Sequence, residues 1–410
     1  MIERFAIKNF KSLRQVDLSL GRMNLFIGSN ASGKSNFFDA LRVLQGIGNG
    51  FTISEILDGK PRSATTEVWE GVRGGSAGAL HAGAPAGAEI ELKVRGQFDS
   101  GVRRWQYDIA FDPIDGKVTQ ERLAVDGSDL YDSTPVTLDA RSAPDLKVRY
   151  YRGDKGHPPP LTFERSRPAL GQFTRSNGGA GIKAAHAEAA AKVARLLANM
   201  QRIDPSPMVL RAYSQAQQIA RMGERGENFA ALVRTIEKDA AAKDAFLSWL
   251  RQLRPSEVDD VGTLSGAVGE PLFMLKEHGR DKPFPATVLS DGTLRFAAIT
   301  AAFFQPDMPD VMTIEEIENG IHAGRVRLLV DLLRSRAAAG ATQVMATTHS
   351  PIVLAWLTEA EYASTFFCKR DESTSESHIC ALPDVPHFMD VVRKQPIADL
   401  FAEGWLEAAL

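Results

Sequence analysis

The sequence predicts an α/β fold: a mixed, largely parallel sheet with helices on its faces, an antiparallel β arm and an inserted helical lobe. Three observations predict it. An apolar run, Met23-Asn24-Leu25-Phe26-Ile27, leads directly into the glycine-rich stretch Gly28–Ser35 and then into a segment of helical periodicity. Residues 286–368 alternate apolar strand-like and helix-like runs, the pattern of a parallel sheet. Between them lies period-2 sequence followed by long-period, alanine-rich sequence. The expected organisation is residues 1–160 as the N-terminal part of a head with the glycine-rich loop and β arm, 161–285 as the helical lobe, and 286–410 as the C-terminal part of the head.

Residues 2–9 and 23–28 read as strands, and Phe37, Phe38, Leu41 and Leu44 share one helical face after the second. Residues 71–88 are glycine- and alanine-rich with little to bury, so they are expected to form a mobile loop. Alternation around Ile90-Leu92-Val94, Trp105-Tyr107-Ile109-Phe111 and Leu146-Val148-Tyr150 predicts antiparallel strands with one wet face, the β arm. From about 181 to 252, Val193-Leu196-Leu197-Met200 and Phe229-Leu232-Val233-Ile236 have helical spacing. Pro205, Pro207 and the Gly223–Gly226 segment break these helices, and no heptad run supports a long coiled coil. Val311–Ile314 and Gln343–Thr347 then read as strands around a helix carrying Leu328, Leu329, Leu332 and Leu333.

With 410 residues, 44% of them hydrophobic, the chain can bury a large core, and a net charge of −3 excludes a globally basic protein. Its two cysteines, Cys368 and Cys380, form neither a disulfide framework nor a zinc spacing, which points to a reduced, cytoplasmic location. No stretch approaches the ~20 apolar residues that span a bilayer, so no membrane partner is expected.

Gly28-Ser29-Asn30-Ala31-Ser32-Gly33-Lys34-Ser35 fits GxxxxGK[ST] at each fixed position, between a predicted strand and a predicted helix. Glycines let backbone N–H groups curl around phosphates, and the helix N-terminus adds a favourable dipole. Lys34 supplies charge to the terminal phosphates, the Ser35 hydroxyl can ligate Mg²⁺, and Asn36 continues the loop. ATP and Mg²⁺ are therefore the expected substrate and cofactor.

Such a loop needs a strand that delivers a carboxylate, and Glu315-Glu316 closes the apolar run Val311–Ile314. Alternation sends the two side chains apart: Glu315 to the Mg²⁺ shell, Glu316 to the attacking water as base. Alone, an acidic pair would fit a solvated strand end. Its neighbours are Ser290-Asp291-Gly292 upstream, which alone would fit a helix cap, and Thr347-Thr348-His349-Ser350-Pro351 downstream of another strand.

In this order the motifs resemble the ABC-type ATPases of the RecF, SMC and OLD-like group, over the first 45 or so residues and most of 286–352. The resemblance implies that Ser290, Asp291 and Gly292 form a signature loop acting in trans on ATP held by a second subunit, hence a homodimer. It implies that His349 is the switch histidine touching the γ-phosphate, and that Asn319, in Glu318-Asn319-Gly320-Ile321-His322, makes contact across the dimer. The opening Ile7-Lys8-Asn9-Phe10-Lys11-Ser12 is similar to the group's first strand and turn, which makes Lys11 and Ser12 nucleotide-binding candidates; an ordinary surface turn would read the same.

The sequence also departs from the group. Glu315 stands where most relatives carry Asp, so slow turnover is expected; Ile317 and Ala323 replace common prolines, and Gln97 is the one candidate for a glutamine loop. Only 61 residues follow His349, with no acidic DxD, so no Toprim nuclease domain is expected.

The resulting expectation is an ATP-hydrolysing, ATP-dimerised protein acting as a DNA-associated clamp in repair or phage defence. Double-stranded DNA would meet residues 147–183, where Lys147, Arg149, Arg152, Lys155, Arg165, Arg167, Arg175 and Lys183 oppose Asp154 and Glu164 for a net of +6. The same segment would also suit a solvated loop around Pro158-Pro159-Pro160. A regulatory switch on a separately encoded nuclease or toxin effector is the alternative, and a transporter motor a third class.

Overall fold

In Asp145–Tyr150 every second residue, Leu146, Val148 and Tyr150, is buried, the signature of a strand with one dry face. The computed structural model describes residues 1–60, 69–98, 103–133, 143–151, 160–175, 182–253 and 258–410. Within them the strands run in chain order as β1 (Ile2–Phe10), β2 (Leu13–Ser19), β3 (Met23–Ile27), β4 (Ile90–Gln97), β5 (Arg104–Asp112), β6 (Lys117–Val125), β7 (Ser128–Ser133), β8 (Asp145–Tyr150) and β9 (Leu161–Glu164). They continue as β10 (Met200–Ile203), β11 (Val258–Ser265), β12 (Pro271–Glu277), β13 (Phe284–Pro285), β14 (Val311–Ile314), β15 (Gln343–Thr348), β16 (Thr365–Arg370) and β17 (Ser377–Ala381). The main helices are α1 (Lys34–Gly48), α2 (Ile53–Asp58), α3 (Ala169–Arg175), α4 (Ala184–Ala198), α5 (Pro207–Leu210), α6 (Phe229–Ile236), α7 (Ala240–Leu253), α8 (Asp291–Ala302) and α9 (Val326–Ala338).

The chain forms two compact units. One holds Met1–Gly21, Gly28–Met200 and Phe366–Ala381; the other holds Arg22–Ile27, Gln201–Thr365 and Leu382–Leu410.

The first unit is organised by an eight-stranded antiparallel sheet in the order β2-β1-β4-β5-β6-β7-β8-β9. Register explains its dry face: Ile90 opposes Phe111, Leu92 opposes Ile109 and Val94 opposes Tyr107, all buried. The other face carries Lys8–Glu91 and Arg122–Asp108 pairs, the wet face expected of the β arm. The opening strand β1 belongs to this same sheet, because Phe5 opposite Val94 and Ile7 opposite Leu92 extend its apolar face.

Glu121 of β6 is a fully buried node. Its carboxylate accepts from Tyr107 and Tyr131 hydroxyls, each at 2.9 Å, and from the backbone N–H of Ala169 at 2.6 Å and Leu170 at 2.8 Å. The start of α3 is thereby fastened to the sheet. Burial raises the Glu121 pKa above the usual carboxylate value, opposed by those four donors.

Residues 71–88, expected to form a mobile loop, are instead tied to the β1–β2 turn. The Lys11 N–H donates to Ala79 at 2.8 Å, His81 Nδ1 lies 2.7 Å from the Lys11 carbonyl, and Phe10 bridges Leu80. Buried Val72, Ala79 and His81 anchor the segment despite its composition.

The second unit contains the parallel pairs β14–β15 and β15–β3, with Val311 beside Gln343 and Ala346 beside Leu25. One apolar cluster joins Leu25, Met312, Ile314, Val344 and Ala346 of these strands to Leu294 and Phe296 of α8 and Leu329 and Leu333 of α9. This packing fixes the ends of β14 and β15, from which the polar site residues project. Of the helices expected to be short in 181–252, α5 and α6 run four and eight residues, with Pro207 at the first turn of α5, whereas α4 and α7 run 15 and 14. Residues 258–285, inside the stretch read as helical, form the antiparallel sheet β11-β12-β13, in which Val261 pairs with Leu275 and Leu264 with Leu272. Among the described residues no helix is long and apolar enough to cross a membrane.

Candidate functional site

The residues singled out from sequence fall in both units. In the first, Gly28–Ser35 curls into the start of α1. Gly33 has φ of 104°, and a Cβ there would lie 2.4 Å from Ser377 Oγ, so only glycine fits the turn. Ala31 also adopts positive φ, at 62°. The Lys34 ammonium folds back over the loop and donates to the carbonyls of Gly28 at 2.6 Å and Ser29 at 2.7 Å, with Ser32 Oγ at 3.4 Å. A cation is thus stationed over the Gly28–Ser32 turn.

Ser12 joins this loop directly. Its hydroxyl accepts from Asn36 Nδ2 at 2.6 Å and shares a hydrogen bond with Ser377 Oγ at 2.7 Å. Lys11, the other candidate of the first turn, spends its ammonium on Asp39 of α1 at 2.5 Å. Burial holds the Lys11 pKa below the usual lysine range, against the attraction of Asp39. Asp39 also receives Arg73 at 3.1 Å, and Arg73 donates to the Ser35 carbonyl at 2.8 Å. Asp39 and Arg73 were not legible as site residues, because one looks like a polar position on a helix and the other sits in the supposed loop. Gln97 ends β4, where its backbone pairs with Met1.

In the second unit, Ser290 caps α8: its Oγ accepts from the Thr293 N–H at 3.3 Å. The turn is the helix cap that its sequence fits, which also leaves backbone N–H groups at a helix start. Asp291 pairs with Arg211 at 2.6 Å. A Cβ on Gly292 would meet the Gly320 carbonyl at 2.4 Å, so the Ser290–Thr293 turn and the turn bearing Asn319 pack as closely as glycine allows. A cavity of about 430 Å³ opens there, lined in part by Ser290, Gly292, Gly320, His322 and Arg325.

Glu315 and Glu316 lie just past the end of β14. Strand alternation did not foretell one backbone feature here: Glu316 takes a left-handed φ of 47°, unusual for a non-glycine residue. The conformation is held from three sides. The Glu316 N–H donates to Thr347 Oγ1 at 2.9 Å, the Ile317 N–H to the Thr347 carbonyl at 3.1 Å, and buried Arg295 donates to the carbonyls of Glu315 and Glu316 at 3.0 and 3.2 Å. The Glu315 carboxylate lies 3.3 Å from Arg202. His349 follows β15 and contacts Glu318, and Asn319 is exposed in the adjoining turn. Arg202, Arg295 and Glu318 escaped the sequence reading; Arg295 and Glu318 stood inside motifs whose other residues drew the attention.

The basic segment 147–183 is less of a phosphate surface than its charge suggests. Arg165 is buried and donates to the carbonyls of Val118 and Ala143, each at 2.9 Å, Arg149 pairs with Asp132 at 2.7 Å, and Arg167 donates to the Gly50 carbonyl. Arg152, Lys155 and Asp154 lie outside the described residues. Lys147, Arg149, Arg175 and Lys183 are exposed.

Over 93% of this chain and 98% of the other, the fold superposes on the crystal structure of an SMC head bound to the C-winged helix domain of ScpA, with a TM-score of 0.50 and 14% identity. The fold is that of an ABC-type P-loop ATPase head of the SMC and RecF kind. Two further heads match: one from Thermotoga maritima, at 11% identity and TM-score 0.44 over 93% of this chain and 98% of that one. The other is from Pyrococcus furiosus, with an extended coiled coil and bound to the C-terminal domain of ScpA, at 14% identity and TM-score 0.47 over 96% and 99%. By sequence, residues 186–355 match the family described as "AAA domain, putative AbiEii toxin, Type IV TA system", and residues 1–55 match the "AAA ATPase domain" family. No curated protein matches the chain.

Two of the residues singled out, one in each unit, carry donors of the kind Mg²⁺ takes. The Ser35 hydroxyl and Glu315 carboxylate are hard oxygen ligands of the type Mg²⁺ takes, one or two from protein and the rest from phosphate and water. Among the described residues there is no cluster of three or more His, Cys, Asp or Glu side chains fit to hold a metal without substrate.

Proposed function

We propose that this chain binds and hydrolyses ATP as a homodimer closed around the nucleotide, and that the cycle drives a DNA-associated clamp in repair or phage defence. The observation that carries the ATP reading is the Gly28–Ser35 turn, with Gly33 required by its backbone and Lys34 drawn over the loop. Lys34 and the loop N–H groups of Ser29–Gly33 hold the terminal phosphates, while Ser12 and Asn36 brace the loop from beside it. Ser35 and Glu315 would hold Mg²⁺, which when bound offsets charge on the β- and γ-phosphates. Glu315 must share its carboxylate with Arg202, in keeping with the slow turnover expected of Glu at this position.

Glu316 then orients the attacking water and takes its proton. Its strained backbone supports this role, since such conformations persist where surrounding contacts enforce them. His349 meets the γ-phosphate, and Ser290, Asp291 and Gly292, with Asn319 beside them, complete the site of the second copy.

Steady-state hydrolysis with and without double-stranded DNA, using Glu316→Gln as the blank, tests the reading, together with the mass in solution with and without ATP. DNA-stimulated turnover and an ATP-dependent dimer support it; a monomer that never hydrolyses ATP removes it. A second reading, a regulatory ATPase controlling a separate nuclease or toxin, is favoured by the internal pairing of Arg149, Arg165 and Arg167 and by the toxin–antitoxin description of the family matched by 186–355. Slow turnover indifferent to DNA would support that reading over the first.

A further inference from the structure

The carboxylate closest to His349 is neither of the pair that ends the strand. It is Glu318, two residues beyond Glu316. One oxygen, Oε1, accepts the His349 backbone N–H at 3.0 Å and lies 3.3 Å from the ring Nδ1. The Glu318 side chain is only 9% exposed, while the His349 ring is 47% exposed. The second oxygen, Oε2, is buried without a hydrogen-bond partner among the described residues. A buried carboxylate satisfied on one oxygen alone is costly, so its retention requires a return elsewhere.

We infer that Glu318 is the positioning residue for His349, setting the ring so that Nε2 is the nitrogen offered to a terminal phosphate. The ring geometry gives the reason. When Nδ1 faces the carboxylate, Nε2 lies on the opposite, solvent-facing edge, and the carboxylate fixes both the ring angle and the nitrogen that carries the proton toward protein. The same oxygen holds the backbone N–H, so the ring and its own main chain are set by one atom. Glu318 is itself held: its carbonyl accepts the Ile321 N–H at 2.9 Å, and the preceding Ile317 N–H is bound by Thr347, two residues before His349. The turn after β14 and the end of β15 are therefore laced together at both Thr347 and His349. A carboxylate at Glu316 could not do this without leaving the water-orienting position proposed for it.

This inference rests on the nucleotide reading of His349, and the test separates the two. ATP and ADP affinities are measured in the Glu316→Gln background, so that ATP stays intact, for the parent, His349→Ala, Glu318→Ala, Glu318→Gln and the double variant Glu318→Ala/His349→Ala. The ring ¹⁵N shifts of His349 are recorded without nucleotide in the parent and in Glu318→Gln. Glu318→Ala is expected to weaken ATP about tenfold with ADP unchanged, as His349→Ala does. The double variant should be no worse than His349→Ala alone, and Glu318→Gln, which keeps an acceptor, should recover part of the loss. The His349 Nδ1 shift should move in Glu318→Gln, a change that holds even if Glu318→Ala fails to fold. Intact ATP preference in both Glu318 variants, additive losses in the double variant, or unmoved shifts overturn the positioning role while leaving His349 as sensor. An ATP preference indifferent to His349→Ala overturns both, and failure of the parent to bind ATP overturns the nucleotide reading itself.

Discussion

Around the phosphate loop Lys34, Ser12 and Asp39 each hold two or more close partners, and positive φ falls on Gly28, Ala31 and Gly33, with Lys11 at 52° in the adjoining turn. Around the carboxylate turn a glutamate takes the left-handed conformation, one oxygen of Glu318 is buried without a partner, and Glu315 is paired with an arginine. The first region resembles a clamp finished before its ligand arrives. The second keeps unmet polarity at Glu318, the feature expected of residues that change partners during a reaction. Binding and turnover should therefore respond to mutation in different currencies: affinity in the first region, rate in the second.

The largest break in that contrast would come from Lys34→Ala, which is expected to abolish measurable ATP binding, and with it hydrolysis, in a calorimetric titration of the folded protein. Retained affinity would contradict the clamp description. Next, Glu316→Gln should lower hydrolysis by about 10²–10⁴-fold while leaving ATP affinity near that of the parent; a matching fall in affinity would erase the distinction between the regions. A third test lies away from both. Glu121→Gln places an amide N–H₂ among groups that all donate, and should destabilise the first unit by about 1–3 kcal/mol, read as a lowered denaturation midpoint with ATP affinity unchanged once folded.

The sign of the pH dependence follows. Because the folded state holds the Glu121 proton to a higher pH than the unfolded chain does, its contribution is full below the unfolded value and is lost as pH rises through the raised one. Glu121→Gln should lack that slope. Smallest of all, Glu316→Gly should raise stability by roughly 1 kcal/mol while eliminating turnover; loss of stability there would show that the side chain, and not the strained backbone, is what the turn holds.

Much of this was legible from residue order. The five buried residues of β3, the glycine spacing after them and the alternation of β4, β5 and β8 are local signals, and each maps onto an element of the expected type. The α/β architecture followed from them. What escaped depends on partners distant in sequence. Arg73 reaches Asp39 and Ser35 across 34 and 38 positions, and Arg295 reaches the Glu315 and Glu316 carbonyls across 20 and 21. Charge counting likewise overrated the 147–183 segment, since composition cannot distinguish an arginine buried on two carbonyls, as Arg165 is, from one facing solvent. The left-handed Glu316 has no sequence signal, because glycine or asparagine is what such a backbone ordinarily selects.

The interleaving of the two units constrains how the protein can be made. The backbone passes from one unit to the other five times, and the last piece of the first unit, Phe366–Ala381, is synthesised after nearly all of the second. Neither unit is contiguous, so neither can be completed while the other is still inside the ribosome. The phosphate loop, present in the nascent chain from residue 35, must wait for Ser377 to meet Ser12 beside it. A chain arrested before β17 would carry the whole glycine-rich motif and still lack Ser377, the side chain against which Gly33 packs.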